Sequence, residues 1–113
     1  MTLVQLVQMI GDILTTIDAT LSRADFSPSD PNWQQIYALR KHLDDQQREL
    51  VTLSISLSDG VYKGVTDQIS AANTEMTAVI TNLSKVGDAI NQIAKVAAAI
   101  DQVLQIAAAA AAV

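Results

Sequence analysis

From Tyr62 to Ala111 the apolar side chains return at alternating steps of three and four without a break. They are Tyr62, Val65, Ile69, Ala72, Met76, Val79, Leu83, Val86, Ile90, Ile93, Ala97, Ile100, Leu104, Ala107 and Ala111. That period belongs to a helix with one buried stripe, because a strand would repeat every two residues. A turn is expected to break such a phase, and this phase holds. The pattern therefore predicts a single helix over about 61–112, roughly 75 Å long at 1.5 Å per residue. The alternative is an up-down four-helix bundle that turns at Gly87-Asp88, since Gly costs about 1 kcal/mol inside a helix.

Two earlier stretches have the same character. In the first, Leu3, Val7, Ile10, Leu14, Ile17 and Leu21 recur at helical spacing, with Val4, Leu6 and Ile13 widening the stripe, so a helix is predicted over about 2–24. The following residues 25–31, Asp25-Phe26-Ser27-Pro28-Ser29-Asp30-Pro31, form a loop signal. Pro28 pushes Ser27 out of helical geometry, Asp30 can cap the next helix, and Pro31 suits its first position. The second stretch, Ile36, Leu39, Leu43, Gln46, Leu50, Leu53 and Leu57, predicts a coiled-coil-like helix over about 31–58, with Gln46 as its one polar seam residue. Ser58-Asp59-Gly60 is the expected stop, with the turn at 59–60 and Gly60 supplying a left-handed residue.

These 113 residues make a single all-α domain spanning 1–113. Half the residues are apolar and only 4% aromatic, which describes an aliphatic, Ala-rich core. With no Cys, disulfides, thiolate metal sites and a cysteine nucleophile are all excluded. A net charge of −5 argues against nucleic acid or an anionic membrane as the main partner, because both require a basic face. The opening MTLVQLVQMIGDILTTIDATL has no basic residue before Arg23 and is interrupted by Asp12 and Asp18, so it does not read as a cleavable signal peptide. The uncharged run from Gln102 to Val113 is too short to span a bilayer, which needs roughly 20 residues.

Catalytic chemistry is not legible. His42 is the only histidine, and Asp45 follows one turn later, but no hydroxyl nucleophile or second metal ligand accompanies them. Arg40-Lys41-His42 beside Asp44, Asp45, Arg48 and Glu49 reads as a solvated, ion-paired helix face. Asp25 and Asp30 are turn and capping groups rather than a carboxylate dyad. Gly60 and Gly64 do not make a phosphate loop. Trp33 and Tyr37, one turn apart, either close the hairpin core against Phe26 or anchor a partner. Gln46 either fixes register or oligomer state or lies near the surface, and Met9 and Met76 are core filler. No cofactor and no metal are expected.

A long helix needs cover. The second helix, running antiparallel, reaches only the first half of the third, and from Ala89 onward nineteen apolar residues stand against six polar ones. Either the first helix swings past the Pro28–Pro31 loop to cover them, or other copies of the chain do.

At Pro28-Ser29-Asp30-Pro31 with Tyr37 six residues on, and in the opening MTLVQLVQMI, residues 1–60 resemble the needle and inner-rod proteins of bacterial type III secretion systems. Those proteins are small cysteine-free helical hairpins. The resemblance implies a helically stacked filament subunit exported without a cleaved signal peptide, secreted or at the cell surface. This chain departs from them by continuing about fifty residues into an Ala-rich end.

The sequence thus predicts an all-α protein, a helical hairpin packed on one long C-terminal helix, acting as a self-assembling structural subunit. Its expected self-association residues are Ile90, Ile93, Ala97, Ile100, Leu104, Ala107 and Ala111, with Pro28, Asp30, Pro31 and Gly60 shaping the subunit. Its expected partners are further copies of itself and proteins of an export apparatus. The alternative is a small acidic helical-bundle binding module, a chaperone, adaptor or inhibitor of another protein, with cytoplasmic location as the counterpart. Insertion of the Ala-rich tail in a membrane is a weaker third reading, and an enzyme the weakest.

Overall fold

The computed structural model describes residues 3–52 and 59–111. Among them are four α-helices and no strand: α1 (Leu3–Leu21), α2 (Pro31–Val51), α3 (Asp59–Thr81) and α4 (Val86–Ala111), with one turn of 3-10 helix at Leu83–Lys85.

Each helix buries an apolar stripe that the sequence displays. In α1 the stripe Leu6, Ile10, Ile13, Leu14 and Ile17 is buried. In α2 Ile36, Leu43 and Leu50 take the same role, with Gln46 buried among them. Asp30 is the α2 N-cap in extended geometry, φ −65° and ψ 130°, and its carboxylate accepts from the Asn32 backbone N–H at 2.8 Å while Pro31 opens the helix. These are the loop and cap the sequence indicates.

The four helices lie around a square. α1 packs on α2 and α3, α4 packs on α3 and α2, and among the described residues the pairs α1/α4 and α2/α3 make no close backbone approach. Two antiparallel hairpins, α1–α2 and α3–α4, therefore stand side by side. Thr16 bonds to Asn73 and Arg23 to Val79 and Ile80, so the α1/α3 register rises on both helices and the pair is parallel. The molecule measures 50 × 21 × 18 Å. Tyr62, Val65, Ile69, Ala72, Met76 and Val79 of α3 face the common core with Ala89, Ile90, Ile93, Val96, Ala97, Ile100 and Val103 of α4.

Two expectations are corrected. Residues 61–112 are not one helix. The chain reverses at Asn82, extended at φ −150° and ψ 102°, whose side chain accepts from the Ser84 backbone N–H at 3.0 Å and from the Ser84 hydroxyl at 2.7 Å. Asn82 N–H meanwhile closes α3 on the Ala78 carbonyl at 2.9 Å. The four-helix alternative is the architecture present, with its turn a few residues before Gly87-Asp88. Gly87 lies in the first turn of α4 with no left-handed backbone. Folding back wins because an apolar stripe over fifty residues long needs more cover than α2 offers, and each fully buried Ile or Leu contributes about 1.5–3 kcal/mol.

Gly60 is not the stop of the second helix either. α2 ends at Val51, where the Thr52 N–H and hydroxyl both reach the Glu49 carbonyl. Gly60 belongs to the first turn of α3 with negative φ, so its left-handed freedom is unused. Leu53, Leu57 and Ser58, expected at the end of the second helix, lie outside the described residues.

Candidate functional site

Several polar side chains join one helix to another. Gln47 donates to the Val7 carbonyl at 3.0 Å, and Arg40 forms a two-pronged pair with Asp18, Nε to Oδ1 at 2.8 Å, fixing α2 to α1. Thr16 donates to Asn73 Oδ1 at 2.7 Å and joins α1 to α3. Between α2 and α4, Gln46 is 2% exposed and donates to the Ala97 carbonyl at 2.9 Å and to Asp101 Oδ1 at 2.7 Å. Gln46 therefore does not lie near the surface. Its Oε1 is buried without a hydrogen-bond partner, a desolvation cost the two donated bonds offset.

His42 faces Asp101 of α4, Nε2 to Oδ2 at 3.8 Å, rather than forming an acid–base pair with Asp45. Asp101 accepts from Gln46, and that bond joins α2 to α4 beside His42. Arg48 pairs with Asp44 and Lys63 with Asp67 one turn along their own helices, both solvent-exposed and worth tenths of a kcal/mol. Among the described residues no group of three or more His, Cys, Asp or Glu is placed to hold a metal ion. None of the helices is long and apolar enough to cross a membrane.

The expected self-association stripe lies inside the chain. Ile90, Ile93, Ala97, Ile100 and Ala107 are buried, and Leu104 is half-buried against the same core. The Ala111 side chain lies outside the described ones. In this fold the stripe is covered by α2 and α3 of its own chain instead of being presented to another copy. The reason is the turn at Asn82, which the periodicity could not display. Ala89, Val96 and Val103 form a second buried column beside the stripe, because α4 packs on two neighbours.

Trp33 and Tyr37 do come together. Their rings stack with centroids 5.4 Å apart and planes 10° from parallel. Trp33 is half-buried and its indole N–H donates to the Leu21 carbonyl at 3.0 Å, closing the end of α1. Tyr37 is half exposed. Phe26 is buried in the core beneath the loop.

Arg23, noted in the sequence only as the end of the first helix, has a larger part. Its guanidinium donates to the Val79 and Ile80 carbonyls at 2.7 and 2.8 Å, the last turn of α3, and grips Asp25 through Nε at 2.7 Å. A cation at a helix C-terminus satisfies orphan carbonyls and complements the helix dipole. The bond from Arg23 holds the Asp25 carboxyl below the usual carboxylate range. No sequence signal marks Arg23, whereas Asn82 two residues before Ser84 is a capping pattern the heptad phase overshadowed.

Two apolar depressions open near the pole where α1 begins and α4 ends. One, of about 270 Å³, is lined by Leu3, Val4, Val7, Gln8 and Val51. The other, of about 230 Å³, lies between α3 and α4 beside Gly64, Gln102 and Ile106. Neither has a charged side chain in its wall.

Compared with family models, curated proteins and solved structures, the chain matches none.

Proposed function

We propose that this chain is a small acidic helical-bundle module that works by binding protein rather than by chemistry. One observation carries the reading: the apolar α4 stripe is buried against α2 and α3 of the same chain. A subunit built to polymerise through that stripe would have to open its own core first. The engagement of Gln46, Arg23 and Arg40 in joining helices adds support, since it gives those groups structural work.

A second reading, a self-assembling filament subunit of an export apparatus, rests on the α1–α2 hairpin closed at Pro28–Pro31, the feature in which the chain resembles needle subunits. Light scattering across a concentration series, with electron microscopy of the same sample, separates the two. A sharp peak at the 12.1 kDa chain mass or at twice that mass, at every concentration, supports the module. A ladder of large species or filaments overturns it in favour of the filament subunit.

A further inference from the structure

We propose that Gln46 with Asp101, and Arg23 with the end of α3, form a register lock that holds the two hairpins at one longitudinal setting among several the apolar core accepts. Inside each hairpin a short capped turn already sets the register, at Asp30-Pro31 and at Asn82. Between the hairpins, α1 lies against α3 and α2 against α4, and these paired helices are not consecutive in the chain. No tight turn joins them, so side chains have to choose how far one hairpin stands along the other.

The apolar side chains do not make that choice. Slide α4 along α2 by one heptad, and Val96 takes the place of Ala89, Ile100 of Ile93 and Val103 of Val96. α3 moves with it, and Ile69 takes the place of Met76 and Ala72 of Val79. Every exchange is apolar for apolar. α4 continues to Ala111, well past Asp101, so α2 still faces helix after such a slip.

The polar contacts do choose. Gln46 is 2% exposed, and its amide donates to the Ala97 carbonyl at 2.9 Å and to Asp101 Oδ1 at 2.7 Å. One heptad on from Ala97 and Asp101 stand Leu104 and Ala108, and one heptad back Ile90 and Ala94, none with a side chain that accepts a hydrogen bond. A slipped pairing therefore deprives the buried amide of its Asp101 bond, while Oε1 has no partner even in the native setting. An unsatisfied buried polar group costs more than its bond gains, so Gln46 penalises wrong pairings more strongly than it rewards the right one. Arg23 pins the other seam. The Val79 and Ile80 carbonyls it takes lie in the last turn of α3, where backbone acceptors are free, whereas carbonyls one heptad earlier are spent on helix bonds. Thr16 and Asn73 join that seam without choosing, because Thr66 stands one heptad before Asn73 and offers an oxygen in its place.

The test reads the register directly. The chain has no Cys of its own, so spin labels on Lys41→Cys in α2 and Ala109→Cys in α4, both exposed and at different heights, report one distance between the hairpins. A slip of one heptad changes that distance by up to about 10 Å, at 1.5 Å per residue. The labelled parent should give a single distance. Adding Gln46→Met with Arg23→Ala should produce a second, slipped population while the mass stays that of one chain. Asp101→Ala with Arg23→Ala should do the same, and because Asp101 is half exposed this pair decides alone if the Gln46→Met pair loses its helical circular dichroism. Asp101→Asn with Arg23→Ala should return to one distance, since Asn still offers an oxygen to Gln46. An unchanged single distance in the Gln46→Met pair, or in the Asp101→Ala pair, overturns the lock. A doubled mass in place of a second distance also overturns it, and assigns Gln46 to the choice of oligomer state.

Discussion

The two poles of this bundle are built on different principles. At one, both hairpin turns meet, and the helix ends there find polar partners. Asp30 caps α2, Trp33 reaches the Leu21 carbonyl at the end of α1, Arg23 takes the Val79 and Ile80 carbonyls of α3, and Asn82 caps the turn into α4. Phe26 plugs the centre. At the other pole α1 begins and α4 ends, Arg48 and Glu49 stand in the last turn of α2, and Val4, Val51 and Ile106 face solvent. Side-chain capping fixes where a chain reverses, because each cap satisfies a backbone group that has no other partner. At the other pole Thr52 caps α2, and among the described residues Val4 and Val51 stay exposed there.

The sharpest way to break this comparison sets the core against the open pole. Ile100→Asp places an unpaired carboxylate at a fully buried site and should cost about 4 kcal/mol or more in urea unfolding. Val51→Asp, at the open pole, should stay within about 0.5 kcal/mol of wild type. If the two variants melt alike, α4 is not the internal helix described here.

The capped pole comes next. Asp30→Ala removes the acceptor for the Asn32 N–H and should lower stability by about 1 kcal/mol, measured by the same denaturant titration. The turn itself gives effects of opposite sign. Asn82→Ala should destabilise by about 1 kcal/mol through loss of its bonds to Ser84. Gly87→Ala should stabilise by about 0.5–1 kcal/mol, since an added Cβ meets nothing and the backbone is helical. A destabilising Gly87→Ala would move the turn back to Gly87-Asp88.

The smallest expected effect is the Arg23–Asp25 pair, which is exposed and screened. Asp25 has its folded pKa lowered by the bond from Arg23, so its contribution is present above the unfolded carboxylate value of about 3.9 and fades as pH falls through the folded one. The difference in Tm between wild type and Asp25→Asn should therefore exist at neutral pH and close in acid. A gap that persists at pH about 2 would assign the difference to something other than this ionisation.

Much of the fold was legible. The first helix, expected over about 2–24, spans Leu3–Leu21, and the Asp30-Pro31 start of α2 is where capping chemistry places it. The reversal at Asn82 was hidden for a specific reason. Periodicity counts residues rather than positions in space, and Val79, Leu83 and Val86 keep the count while the chain changes direction between them. Leu83 and Val86 remain half-buried against the core through the turn. Val4 and Val51 were also plain in the sequence as apolar residues, but nothing in the sequence said that they line one groove.

The sequence alone determined that the chain is helical, where its apolar stripes run, and how its best-defined loop is capped. Those are local properties, set by a 3.6-residue period and by side chains reaching their own backbone. Only the tertiary structure decided that the α4 stripe is covered from within, that Gln46 meets Asp101, and that Val4 and Val51 share one exposed groove. Each of these depends on which helices become neighbours. Neighbours are chosen by burying the most apolar area over the whole chain at once, a choice no single stretch contains.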